Sequence, residues 1–225
     1  MNTTLLFPQE SQRRSRDTSI QPTINGMIDA LMASFPDPKQ LSLTQQREII
    51  ARYTAVLEGN FIYWMTATLL AVQSEDARSI ILDNLHEEVR DAHPAMLRRF
   101  AIAAHAFPTD VDALAVHDDL TYVRLFLGRL SGVQSVLTMA FFEGFIQRFM
   151  SYLADLAKAQ GSVEMEYTDV HGVCDVAHTD GLFRAFSTEM ALTPLAPEND
   201  IFEGVYLLRT LIGTIVFHME DKVAA

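Results

Sequence analysis

The sequence predicts an all-α fold, with about seven helices in a single domain. Apolar residues recur at helical spacing along most of the chain, and Ser, Thr, Asp, Pro and Gly punctuate these runs where helices start and stop. No segment sustains the alternation of a half-buried strand, and there is no internal repeat, low-complexity tract or Gly/Ser linker.

Residues 1–21 are polar, with Arg13, Arg14 and Arg16 close together, and read as a flexible arm; residues 22–225 form the helical domain. From Pro22 to Phe35, Ile24, Met27, Ile28, Leu31 and Met32 mark a first helix, which Pro36-Asp37-Pro38 ends. Ser42 caps a long helix expected to run to about Val72, with Glu58 and Gly59 in its middle. Ser74-Glu75-Asp76 opens the next helix, placing acids at the positive end of the macrodipole. Pro94 kinks or breaks that helix near His93. Phe107 to Asp110 form a turn and cap, followed by a short helix and another over about 118–130. Residues 131–160 read as a long helix, apolar on most sides between Val133 and Phe145 and therefore buried. Residues 163–167 read as extended or irregular. A helix follows that ends before Pro194, and Pro197 to Asp200 cap a last one reaching about Glu220.

Hydrophobic residues make up 49% of the chain and charged ones 20%, a globular balance. The net charge of −12 argues against nucleic acid or an anionic membrane as partner. The longest apolar run, Phe61 to Val72, is too short to span a bilayer. A single cysteine, Cys174, excludes an intrachain disulfide and a cysteine-rich metal site. With no basic start followed by an apolar segment, the expected location is the cytoplasm. The apolar last helix, Tyr206 to Phe217, has surface to cover, and a homodimer is expected.

The chemistry concentrates in the helix after Thr168. His171, Asp175 and His178 fall at i, i+4 and i+7, one narrow stripe of a helix. Two imidazoles and a carboxylate suit iron, manganese or zinc; the competing reading is a solvated polar face. Cys174 lies at about 300° from His171 around the same helix and reads as a packing residue. Other helices carry carboxylates in apolar surroundings: Glu58, Glu87 and Glu88 before His93, and Glu143 within Met139 to Phe145. Each taken alone is half-exposed or paired with a cation; together with the stripe they make the ligand inventory of a dinuclear iron site in a helical bundle. The Glu-x-x-His pairs of ferritin-like proteins and the His-Glu-x-x-His of zinc proteases are both absent. Tyr63, Trp64, Phe141, Phe142 and Phe145 lie near these ligands in sequence; they read as core, with an aromatic pocket as the alternative. Arg98 or Arg99 is a candidate partner for a substrate carboxylate, against the reading of a solvent-facing arginine.

Leu82-Asp-Asn-Leu85-His-Glu-Glu88, then His93-Pro-Ala-Met-Leu-Arg-Arg-Phe100, Glu143 and the His171/Asp175/His178 stripe together resemble the haem-oxygenase-like diiron oxidases. The resemblance covers roughly residues 52–186. It implies a haem-oxygenase-like bundle in which His93, Glu143, His171, Asp175, His178 and either Glu87 or Glu88 hold two Fe(II)/Fe(III) ions. Glu58 matches an extra carboxylate found in some members. The gap between Glu87 or Glu88 and His93 is shorter than is common in the family. The resemblance implies O2 as co-substrate, an external electron donor and a small amino-acid-like substrate. Oxidative C–C cleavage or amine oxidation is the implied chemistry, and nitrile formation from a tryptophan derivative its most specific form. N-oxygenation and desaturation with decarboxylation are alternatives on the same fold. A thiaminase-like enzyme, which would need Cys174 as nucleophile, and a metal-free helical binding protein are the competing classes.

Overall fold

The computed structural model describes the backbone of residues 9–218 and the side chains of residues 20–172 and 177–218. Within them the chain forms ten α-helices, a 3-10 turn at Pro38–Gln40 and no strand. The helices are α1 (Gln9–Ala33), α2 (Leu43–Leu57), α3 (Asn60–Ala71), α4 (Glu75–Arg90), α5 (His93–Ala103), α6 (Asp110–Ala115), α7 (His117–Leu127), α8 (Gly132–Ala159), α9 (Glu166–Leu192) and α10 (Glu203–Phe217). None of the described helices is long and apolar enough to cross a membrane.

The all-α architecture is as the sequence predicts; the count of seven is corrected to ten. The helix expected over 43–72 is two. Gly59 adopts φ +81, a left-handed conformation in which glycine carries no Cβ penalty, and the axis changes direction there. Of the kink or break expected near His93, the structure shows the break, between α4 and α5, with Ala92 at φ 55. The first helix begins at Gln9, inside the segment read as an arm, and carries Pro22 within it. The start of α9 takes in Glu166 and Tyr167, which read as extended or irregular.

Helix α8 is the axis of the bundle. Every residue from Val133 to Ile146 is buried, as a helix apolar on most sides requires, and α9 packs along it more extensively than any other pair of helices. Phe145, Phe149 and Tyr152 stack in succession along α8, with Phe35 set edge-on against Phe145 and Phe149. Trp64 is fully buried and meets Phe142 edge-on at 5.1 Å. Four of the five aromatics expected as core are therefore core, while Tyr63 is exposed under the Arg124 guanidinium. Arg52, buried on α2, donates from Nε to the carbonyl of Ile215 at 2.8 Å. It thereby satisfies an orphan acceptor in the last turn of α10 and places positive charge at the negative helix end.

A second buried charge ties α9 to α4. Glu189 is 1% exposed, near the C-terminus of α9, where its charge opposes the macrodipole. It is held by the backbone N–H groups of Gln73 (3.0 Å) and Ser74 (2.9 Å), at the start of α4, and by the Thr193 hydroxyl (2.8 Å). Gly132 makes room, since a Cβ there would stand 2.6 Å from Glu189 Oε1. Glu189→Ala is expected to cost roughly 3 kcal/mol, because it strands the buried Ser74 N–H and removes the charge-assisted bonds from the Gln73 N–H and the Thr193 hydroxyl. Calorimetry should record a fall of about 10 °C in the melting temperature; a fall of 2 °C or less would show the contacts to be incidental.

Candidate metal centre

Helix periodicity puts His171 and His178 on one buried face of α9, 5% and 6% exposed. The side chain of Asp175, expected between them, lies outside the described residues, as does that of Cys174. Opposite stands α4, whose adjacent Glu87 and Glu88 diverge by about 100° around the helix and serve different histidines. The break at Ala92 then folds the chain back so that α5 opens on His93, with Pro94 in the first turn, where its missing N–H is harmless. The left-handed Ala92 costs on the order of 1 kcal/mol and allows the short Glu-to-His gap. Across it, His93 Nδ1 donates to Glu88 Oε1 at 2.7 Å.

Glu88, His93 and His171 converge. One donor atom from each lies within 4.8 Å of the other two, and all three residues are buried. The imidazoles of His93 and His171 meet edge-on with centroids 4.5 Å apart. His171 donates Nδ1–H to the carbonyl of Tyr167 at 2.8 Å, which leaves the Nε2 lone pair facing Glu88 Oε1 at 4.0 Å. A carbonyl only accepts, so this contact sets the tautomer. Beside this cluster, His178 Nε2 bonds Glu87 Oε2 at 2.9 Å, and His178 Nδ1 stands 3.9 Å from Glu143 Oε1. Glu143 is 2% exposed; the side chain of Glu87 is 42% exposed, against 6% for Glu88.

The structure thus distributes the sequence-predicted residues unevenly. Glu88, His93 and His171 form the tight cluster, and Glu87, Glu143 and His178 lie alongside. Of the two adjacent acids, Glu88 stands in the cluster with His93 and His171, and Glu87 bonds His178. Glu58 caps the C-terminus of α2, where it pairs with Arg98, and does not join the cluster. Arg99 pairs with Glu166. Two residues to which the sequence reading gave no site role stand at the cluster: Tyr167, through its carbonyl and ring, and Tyr53, whose hydroxyl meets that of Tyr167 at 2.8 Å. The only signal for Tyr167 was its place four residues before His171, one helical turn.

A cavity of about 20 Å³ opens on the cluster. Glu88, His93, Glu143, Tyr167 and His171 form its polar side; Leu57, Phe61, Ile62, Leu97 and Ile146 are among its apolar walls. Burial is the main influence on both histidines of the cluster. It holds His171 down at about 4, against the opposing pull of the Glu88 charge, so His171 is neutral at pH 7. For His93, burial is outweighed by the hydrogen bond and charge of Glu88, and the net shift is upward.

These residues fit an iron ion. Two donors each about 2.1 Å from a common ion stand about 3.0 Å apart when adjacent and about 4.2 Å when opposite. The observed 2.7 and 4.0 Å lie close to those separations, and an ion held by His93 Nδ1 would displace the proton that Nδ1 now donates to Glu88. The donors are imidazole nitrogen and carboxylate oxygen, the set that suits iron, and a neutral His171 with its outer N–H already engaged is ready to ligate.

The family model for iron-containing redox enzymes matches residues 50–211, a span that includes every candidate ligand from Glu58 to His178. Searches of curated proteins and of solved structures found no match. The all-helical architecture agrees with the family, and so do the buried histidines and carboxylate that α4, α5 and α9 bring together. The chain therefore belongs to the iron-containing redox enzymes of haem-oxygenase-like fold.

Proposed function

We propose that this chain is a non-haem diiron oxidase that consumes O2 and oxidises a small amino-acid-type substrate. The observation that carries the reading is the buried Glu88–His93–His171 cluster with Glu87, Glu143 and His178 beside it. In this reading the first three residues hold one ion, the second three hold the other, and Asp175 contributes from the helical stripe they share. Two separate histidine–carboxylate sets, rather than one, support two ions over one. Iron bound there supplies the electrons that activate O2. The protein's own part is to neutralise the cations with buried carboxylates, fix His171 through the Tyr167 carbonyl, and keep water from the reacting group with the apolar wall from Leu57 to Ile146.

Oxidative C–C cleavage or amine oxidation is the proposed chemistry, with nitrile formation from a tryptophan derivative as the specific reaction to try first. N-oxygenation and desaturation with decarboxylation are separated from it by product mass. Anaerobic titration of chelator-treated protein with Fe(II) is expected to saturate at two ions per chain. Admitting O2 should then oxidise the iron, and a panel of aromatic and aliphatic amino acids should contain one that accelerates this. Saturation at one ion would eliminate the diiron reading; no uptake would return the chain to a metal-free binding protein.

A further inference from the structure

The metal-bearing helix begins with only an exposed side-chain cap, the Glu166 N–H donating to Glu164 Oε1 at 3.2 Å. Its N-cap residue, Met165, makes no side-chain hydrogen bond to the first turn, and the Arg99–Glu166 ion pair beside it is half-exposed and therefore weak. Yet the first turn must hold its shape, because the Tyr167 carbonyl that fixes His171 lies within it. What secures that turn is buried. The Tyr167 hydroxyl meets the Tyr53 hydroxyl at 2.8 Å, both residues being at most 3% exposed. The Tyr167 ring sits between His171, 4.3 Å away, and Phe100, 5.9 Å away. Tyr53 belongs to α2, more than a hundred residues earlier, and is itself packed on Phe149 of the bundle axis.

We propose that Tyr53 is a positioning residue for the metal centre: its hydroxyl anchors Tyr167, and Tyr167 holds the His171 imidazole in the tautomer and direction that ligation needs. This rests on the diiron reading above. Two features separate the role from ordinary packing. The hydroxyl pair is a directional contact among apolar rings, and its effect reaches the ligand through one residue that touches His171 with both backbone and ring. Outer contacts of this kind change metal affinity by about 10–100-fold.

The test uses the full chain with Tyr53→Phe, Tyr167→Phe and the double variant, all of which keep the rings. Fe(II) affinity is read by anaerobic competition with a chelator, and unfolding by calorimetry. Each single variant is expected to bind Fe(II) about tenfold more weakly and to melt lower, because the buried 2.8 Å hydroxyl contact is broken. In the double variant no hydroxyl is stranded, so the melting temperature should recover while the affinity stays about tenfold down. In Co(II)-loaded protein, the exchangeable His171 Nδ1–H resonance should be broadened in every variant. Affinity that recovers together with stability, or single variants within twofold of the parent, would overturn the proposal while leaving the diiron reading intact. A parent chain that takes up no Fe(II) overturns both.

Discussion

His171→Ala is expected to lower Fe(II) affinity by on the order of 100-fold or more, and to reduce uptake to at most one ion per chain. His171 is the hinge of the tight cluster. It supplies one of three convergent donors, packs edge-on against His93 and carries the contact to Tyr167. Removing a supporting residue costs about 10–100-fold in metal affinity, and removing a ligand costs more. Glu58→Gln is the control. Glu58 is tied to Arg98 outside the cluster, so that variant should bind two ions with unchanged affinity. Equilibrium dialysis with metal analysis reads both. Parental uptake in His171→Ala would remove the cluster from the metal centre, and a loss in Glu58→Gln would restore Glu58 to the ligand set.

The second large effect concerns the fold. Gly204 lies in the first turn of α10 where it crosses α7 and α8. A Cβ there would fall 2.1 Å from Thr138 Oγ1 and 2.3 Å from Phe126 Cε1. Neither neighbour is free to retreat. Thr138 is buried and donates to the Gln134 carbonyl at 2.7 Å, and Phe126 is buried beneath the Arg129 guanidinium. The extra carbon must therefore push α10 off the bundle. Gly204→Ala is expected to cost roughly 3 kcal/mol or more, equivalent to a fall of about 10 °C in melting temperature. Calorimetry decides it; a cost below about 1 kcal/mol would mean that α10 shifts freely. Iron stoichiometry below the transition should be unchanged, because α10 provides none of the candidate ligands.

The helical class was legible because its signals are local: periodicity, caps and breakers all act within a few residues. The metal stripe was legible for the same reason, since His171 and His178 share a face of a single helix. Adjacent residues such as Glu87 and Glu88 were not separable, because which of two faces turns inward depends on where α9 lies. Gly59 was visible, but its left-handed conformation is set by the packing of α2 and α3 rather than by its neighbours in sequence. Glu58 looked like an awkward carboxylate inside one long helix; once the helix divides there, it becomes a capping position beside Arg98. Glu189 was missed although a signal existed, for an acid near the C-terminus of a helix is electrostatically misplaced and calls for a distant donor. Tyr53 carried no signal at all, since a buried tyrosine in an aromatic-rich helix is indistinguishable from core until its hydroxyl partner is known.

The Glu189 contact has a mechanical meaning. Helices α4 and α9 touch at both ends: Glu189 grips the start of α4, and Glu87 and Glu88 near its finish face His178 and His171. The two helices thus make a closed frame, bolted at one corner by backbone amides and at the other by these histidine–carboxylate contacts. Within such a frame the two histidine–carboxylate sets are geared together. Any rotation of α4 that draws Glu88 toward His171 sweeps Glu87 around the same axle, so neither set is adjusted without the other.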